Sequence, residues 1–143
     1  MKNVLIIYWS GTGNTQKMAV AVAEGARTDG NSVNVIEVGN ASKEEVLKAD
    51  AVALGCPSMG SEELEEGEME PFVYSLEKEN LKDKPMALFG SYDWGDGQWM
   101  RDWSDRMTKQ EVKLVAEGLA VQNTPDEEGI ERCRQLGSKL ASA

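Results

Sequence analysis

Tyr8-Trp9-Ser10-Gly11-Thr12-Gly13-Asn14-Thr15 decides the fold. It follows Val4-Leu5-Ile6-Ile7, an apolar run that reads as a buried β-strand, and it precedes residues 17–24, which read as a helix. A loop of small, hydroxyl-bearing residues between a strand and a helix N-terminus is a phosphate cradle. Backbone N–H groups and the positive end of the helix dipole face the anion there. The hydroxyls of Ser10, Thr12 and Thr15 and the amide of Asn14 add donors, and Lys17 is the first cation after the loop. Neutral hydrogen bonds would therefore hold a terminal phosphate. The nucleotide-triphosphate loop is excluded, because Gln16-Lys17-Met18 stands where Gly-Lys-Ser/Thr is needed. The dinucleotide fingerprint is excluded too, because Gln16 occupies the place of its third Gly. An ordinary strand–helix turn is the alternative, since Ser, Gly, Thr and Asn also suit turns and N-caps.

Outward from this loop, apolar runs alternate with helical patterns. Strands are expected at 4–8, 33–38, 51–56, 85–90 and 112–121, the last bent near Glu117-Gly118. Helices are expected from 14 to about 29, ended by Asp29-Gly30-Asn31, then from Ser42, over 70–79 and over 98–109, and from Thr124-Pro125-Asp126 onward. Ser42 and Glu45 form a capping-box pattern, and Pro125 suits the first turn of the last helix. Five β-α units with short, nearly continuous apolar strands make an α/β domain with a parallel sheet buried on both faces. Ligands of such folds sit at the carboxyl ends of the strands. Three loops lie there, at 9–15, 56–62 and 91–97.

The 143 residues suffice for one domain with a real core. No apolar run approaches membrane-spanning length, and no signal peptide is expected ahead of the first strand. Two cysteines, Cys56 and Cys133, make neither a disulfide framework nor a metal cluster, so a cytoplasmic location is expected and no metal site. The chain has no His, which excludes Ser–His and Cys–His catalysis and most zinc chemistry. A net charge of −10 argues against nucleic acid and anionic membranes. It favours cationic protein surfaces, although acidity for solubility alone explains as much.

Taken together, three motifs resemble flavodoxins, in particular the short-chain kind of anaerobic bacteria. They are the loop quoted above, Leu54-Gly55-Cys56-Pro57-Ser58-Met59-Gly60-Ser61-Glu62-Glu63-Leu64-Glu65, and Phe89-Gly90-Ser91-Tyr92-Asp93-Trp94-Gly95-Asp96-Gly97-Gln98-Trp99-Met100. The resemblance runs the whole length of the chain, which has no room for the insertion that long-chain flavodoxins carry in strand five. It implies a doubly wound five-stranded parallel sheet of order 2-1-3-4-5 with helices on both faces, formed by residues 1–143 as one FMN-binding domain. It also implies a low-potential electron carrier rather than an enzyme. Non-covalent FMN would shuttle between semiquinone and hydroquinone, passing single electrons between redox proteins.

The resemblance assigns FMN contacts to Ser10, Gly11, Thr12, Gly13, Asn14 and Thr15 at the phosphate. Around the flavin it assigns Pro57, Ser58, Met59, Gly60, Ser61 and Glu62, then Ser91, Tyr92, Asp93, Trp94 and Gly95. Met59 would pack the inner face and Trp94 the outer face, where stacking adds about 1 kcal/mol beyond burial. The Met59–Gly60 peptide would flip so that its carbonyl accepts the N5 proton of the neutral semiquinone. That state needs a positive φ, which a Cβ resists by about 1–2 kcal/mol. Glu62 would accept from the flavin N3–H. Asp93 stands where relatives often have Gly, and its carboxylate faces either solvent or the flavin N1. Trp99 and Trp103 are read as packing residues, Trp9 as a support behind the phosphate loop, and both cysteines as structural.

Six Glu fall between 62 and 70. They are read here as lowering the flavin's final potential and orienting cationic partners, rather than only as a solvated face. One carboxylate about 10 Å away, at an effective dielectric of about 40, costs an added negative charge roughly 0.8 kcal/mol. That is about 35 mV for a one-electron couple. The expected partners are donors and acceptors with basic docking surfaces, met by a monomer.

Three other functions fit less well. A flavin-dependent quinone or nitro-compound reductase needs open space where Trp94 is expected. A signalling receiver needs acids after strand one, where Trp9-Ser10 stand. A tyrosine phosphatase needs Arg six residues after its Cys, and that position is Glu62.

Overall fold

The computed structural model describes residues 2–27 and 30–143. Its elements in chain order are β1 (Asn3–Tyr8), α1 (Asn14–Ala26), β2 (Ser32–Glu37), α2 (Lys43–Lys48), β3 (Ala51–Gly55), α3 (Met69–Leu76), β4 (Pro85–Tyr92), α4 (Gln98–Thr108), β5 (Lys113–Leu114), β6 (Leu119–Gln122) and α5 (Glu127–Ala141). The strands pair in parallel in the order β2-β1-β3-β4-β5, and β6 also pairs with β4. The α/β class, the strand order and the helices on both faces agree with the sequence reading.

Side chains alternate across the sheet with period two, as buried strands require. Leu5, Ile7, Val52, Leu54, Met86 and Leu88 point to the face covered by α2, α3 and α4. Val4, Ile6, Ala51, Ala53, Ala87 and Phe89 point to the face covered by α1 and α5. The second face has the smaller residues, so α1 and α5 lie close to the sheet and to each other. A Cβ added at Gly137 would lie 1.9 Å from the Val22 carbonyl oxygen, and one at Gly25 would lie 1.8 Å from the Arg134 carbonyl oxygen. These two glycines let the helices touch backbone to backbone.

The fifth strand is two pieces rather than one bent strand. Met86 pairs with Leu114 and Phe89 with Leu119, so two residues of β4 face the four residues 115–118. The surplus bulges out of the ladder and breaks it. Strand four runs two residues beyond its expected end, which places Ser91 and Tyr92 on the sheet rather than in the loop. The third helix begins earlier and ends at Leu76. Pro125 precedes the last helix instead of occupying its first turn. The N-cap is Asp126, whose carboxylate accepts the Gly129 N–H at 2.8 Å. The capping box of Ser42 and Glu45 is present in both directions. Of the expected stop for the first helix, Asp29 lies outside the described residues. Asn31 does act there, its side-chain amide donating to the Ala26 carbonyl at 3.2 Å.

Both thiols are buried. Burial pushes Cys56 up to about 12 and Cys133 up to about 11. A thiol with a raised folded pKa stays neutral in the native state while the unfolded chain ionises from about pH 9. Its contribution to stability is therefore full below pH 9 and is lost as pH climbs toward 11–12. The urea midpoint is expected to fall between about pH 8 and about pH 10, and to fall less in a Cys56→Ala/Cys133→Ala variant. An equal fall in the variant would assign the loss to other groups.

Candidate functional site

Three loops meet at the carboxyl ends of β1, β3 and β4. The first rises from β1, whose direction is kept by the Trp9 N–H donating to the Gly55 carbonyl at 2.9 Å. It then turns sharply. The Ser10 hydroxyl oxygen accepts the Gly13 N–H at 3.0 Å, and Gly13 holds φ at 99°, a left-handed conformation that suits glycine. The turn delivers the chain into α1 with Gly13 as N-cap, no side-chain cap and no acid in the first turn. Lys17 is the first residue whose N–H closes onto the helix, at the Gly13 carbonyl. Among the described residues, the N–H groups of Gly11, Thr12, Asn14, Thr15 and Gln16 have no hydrogen-bond partner. Five free donors at the positive end of a helix, with no carboxylate to compete, form an anion site. Trp9 lies beneath the loop, its ring 3.1 Å from where a Cβ on Gly11 would be. Residue 11 must therefore be small for the loop to fold over the indole.

The three loops are tied at their base. Thr15 and Ser91 are 1 % and 5 % exposed, and their hydroxyls share a hydrogen bond of 3.0 Å. The Ser58 N–H donates to the Ser91 carbonyl at 2.9 Å. Ser91 therefore joins the first loop to the second from the end of β4. Above this base lies a cleft of about 140 Å³. Trp9, Gly11, Thr12 and Asn14 line it from the first loop, Pro57, Ser58 and Met59 from the second, and Ser91, Tyr92 and Asp93 from the third.

Beyond Met59 the second loop makes a tight turn. Met59 and Glu63 exchange both backbone hydrogen bonds at 2.8 Å. Gly60 has φ 50° and Glu62 φ 57° within that turn. Space for a Cβ on Gly60 is open. Of the expected FMN contacts, Ser10, Gly13, Thr15, Gly60, Ser61, Glu62, Trp94 and Gly95 do not line the cleft itself. Glu62 lies against Gly95 of the third loop, and Trp94 is 63 % exposed. The Asp93 side chain is exposed, and its backbone carbonyl accepts from the Gln122 amide at 3.2 Å. Trp99 and Trp103 are buried in the core, as expected. The Trp99 indole N–H donates to the Cys56 carbonyl at 3.2 Å, and its ring packs on Tyr92 at a centroid distance of 5.5 Å.

The acidic run is only partly a free charged face. Glu65 accepts the N–H groups of Gly67, Glu68 and Met69 and so caps α3. Burial alone would raise its pKa, but those three donors outweigh burial and hold the carboxyl below its ordinary value. Glu70 makes a two-point pair with Arg106 at 2.7 Å, and Arg106 also reaches Glu77. Glu62 accepts the Gln98 N–H at the start of α4 at 3.1 Å. These three carboxylates have structural work that the sequence reading did not foresee, while Glu63, Glu66 and Glu68 are exposed.

Larger hollows lie elsewhere, each with a carboxylate on its walls, and one of about 350 Å³ beside α5 carries Arg132 and Lys139 together with Glu117. One of about 620 Å³ between α4 and the break in the fifth strand carries Arg101, Asp105 and Glu117 on its walls. Another, of about 720 Å³, lies at the N-terminus of α5, which Asp126 already caps and which Glu127, Glu131 and Arg134 flank. No group of three or more His, Cys, Asp or Glu among the described residues could hold a metal. No helix among them is long and apolar enough to cross a membrane.

Known proteins share this arrangement. The sequence profile of the flavodoxin family matches residues 6–137. The chain is 47 % identical to a flavodoxin of Clostridium beijerinckii over 137 residues, covering 96 % of this chain and 98 % of that one. It is 39 % identical to a flavodoxin of Megasphaera elsdenii over 140 residues, covering 98 % and 99 %. The solution structure of the two-electron reduced Megasphaera elsdenii flavodoxin superposes with a TM-score of 0.87 at 40 % identity, over 98 % of this chain and 99 % of that one.

Proposed function

This chain belongs to the flavodoxin family, FMN-binding electron carriers that serve redox proteins, and on that premise we propose how its own residues hold and tune the cofactor. Bound FMN supplies one-electron chemistry, with proton uptake at its N5. The residues do the rest. The free N–H groups of the 11–16 segment bind the phosphate, with the hydroxyls of Ser10, Thr12 and Thr15 and the Asn14 amide. Neutral donors at a helix N-terminus suit a dianion without a paired cation. Residues 57–62 and 91–95 take the isoalloxazine. Met59 and Trp94 supply apolar surface that excludes water from it, and the exposed indole is an apolar platform awaiting a flat ring.

The observation that carries this reading is the row of unpartnered donors at the start of α1, opening into the cleft between the three loops. Its test compares FMN with riboflavin, which lacks the phosphate. Quenching of flavin fluorescence is expected to show FMN bound at least about 100-fold more tightly, the worth of two charge-assisted hydrogen bonds at about 1.5 kcal/mol each. Equal affinities would remove the phosphate role from this loop.

Gly60 sets the orientation of the Met59 carbonyl, which accepts the Glu63 N–H at 2.8 Å and would turn from it to accept a hydrogen bond from N5–H. The structure already has Gly60 at positive φ, with open space around it, so an Ala there fits sterically and acts through φ alone. Gly60→Ala is expected to narrow the gap between the two one-electron midpoint potentials by roughly 50 mV, the equivalent of about 1 kcal/mol. A spectroelectrochemical titration reads both potentials, and an unchanged gap would remove Gly60 from this role.

The partners dock through basic surfaces. A net charge of −10 supports that reading, together with the exposed carboxylates of Glu63, Glu66 and Glu68 beside the flavin loops. The protein works as a monomer in the cytoplasm, where thiols as deeply buried as Cys56 and Cys133 stay reduced.

A further inference from the structure

Glu62 has an unusual setting for a loop carboxylate. Its backbone is left-handed at φ 57°, a conformation that a residue with a Cβ enters at a cost and keeps only where its surroundings demand it. Its side chain lies across Gly95 in the next loop. A Cβ on Gly95 would be 2.5 Å from Glu62 Oε1, 2.6 Å from Cδ and 3.2 Å from Cγ. Past Gly95 the carboxylate reaches α4, where Oε1 accepts the Gln98 N–H at 3.1 Å. Gly97, the N-cap of α4, has no side chain to offer, so Glu62 serves as a cap supplied from 36 residues away. Oε2 has no hydrogen-bond partner among the described residues.

We propose that Gly95 and the start of α4 form a latch that fixes Glu62 between the two flavin loops. One carboxylate oxygen is committed to the helix, which leaves the other free to accept the flavin imide. This rests on the FMN reading above. An oxidised isoalloxazine has a single ring N–H, at N3, flanked by two carbonyl oxygens, so its recognition calls for one acceptor on the rim. A carboxylate meets both demands because it has two oxygens. An amide has one oxygen and no charge, so Glu62→Gln weakens both bonds that the carboxylate makes through separate oxygens. Gly95 is then a positioning residue: its φ of 92° already disfavours a side chain, and a Cβ there also meets the Glu62 carboxylate, pushing it off the helix and misplacing its second oxygen. The latch closes through protein contacts alone, so it holds before the cofactor arrives and spares part of the ordering on binding.

The test has two readouts. In the apoprotein, amide hydrogen exchange at Gln98 is expected to quicken at least about tenfold in both Gly95→Ala and Glu62→Ala, and no further in the double variant. For the cofactor, FMN is compared with N3-methyl-FMN, which keeps the phosphate and ring but cannot donate from N3. The native protein is expected to prefer FMN by about tenfold or more. Gly95→Ala and Glu62→Ala should each bring the ratio near one, and Glu62→Gln should lower it. A merely structural Gly95 would weaken both ligands alike and leave the ratio at its native value, which would overturn the proposal. Unchanged Gln98 exchange in Glu62→Ala would overturn it as well. If the native protein bound neither flavin, the FMN reading itself would fall, and the latch's cofactor role with it, even with the apoprotein exchange as expected.

Discussion

Gly137→Ala is expected to destabilise the protein by about 3 kcal/mol, at the upper end of overpacking costs. The added methyl would lie 1.9 Å from the Val22 carbonyl oxygen and 3.0 Å from the Ala26 nitrogen. Both are backbone atoms inside α1, so neither can swing aside, and α5 must back away from α1. That separation opens the contacts of Met18, Val22, Cys133, Leu136 and Leu140 that fill this side of the sheet. Thermal unfolding of the apoprotein should shift down by roughly 10 °C, at about 3–4 °C per kcal/mol for a domain of this size. Gly39→Ala is the control. A Cβ there would also be too close, 2.2 Å from Glu68 Oε2, but that atom ends an exposed, flexible side chain that can rotate away. Its cost should stay within about 0.5 kcal/mol. Equal losses in the two variants would contradict backbone contact between α1 and α5.

The second large effect is at Thr15→Val. Valine keeps the shape and removes the hydroxyl, which leaves Ser91 Oγ unpaired in a buried position. An orphaned buried hydroxyl costs about 1–3 kcal/mol. Apoprotein stability should fall by that amount, and FMN affinity by about tenfold or more, because the same hydroxyl is proposed to donate to the FMN phosphate. A double variant separates the two effects. Thr15→Val with Ser91→Ala removes both partners and should recover most of the stability, since an apolar pair replaces a polar one. It should not recover the FMN affinity. Recovery of both would make Thr15 a packing residue only.

What could be read from the sequence follows the range of the interactions. The strand–loop–helix of residues 4–24, the strand order and the Ser42–Glu45 capping box rest on neighbours a few residues apart or on a resemblance spanning the chain, and they agree with the structure. Interactions across long sequence separations were not legible. Nothing near Glu62 announces that it caps a helix beginning at Gln98, and nothing near Glu70 points to Arg106. The acidic run therefore looked uniform in sequence, yet its members differ in role according to what the fold brings beside them. Boundaries moved where tertiary pairing overrode local signals. Ser91 and Tyr92 look like loop residues, but pairing with Val121 and Gln122 of β6 carries them into the sheet. Pro125 suits a first helical turn in isolation, but Asp126 beside it is the better cap and starts the helix at Glu127, two residues later.

The segment from Ser10 to Gln16 and the cleft above it are proposed to hold one FMN. Isothermal titration of the apoprotein with FMN tests this most directly. The expected result is one FMN per chain, a yellow complex, and binding weakened when inorganic phosphate competes for the cradle. Absence of heat and of colour at saturating FMN, or uptake indifferent to phosphate, would contradict it.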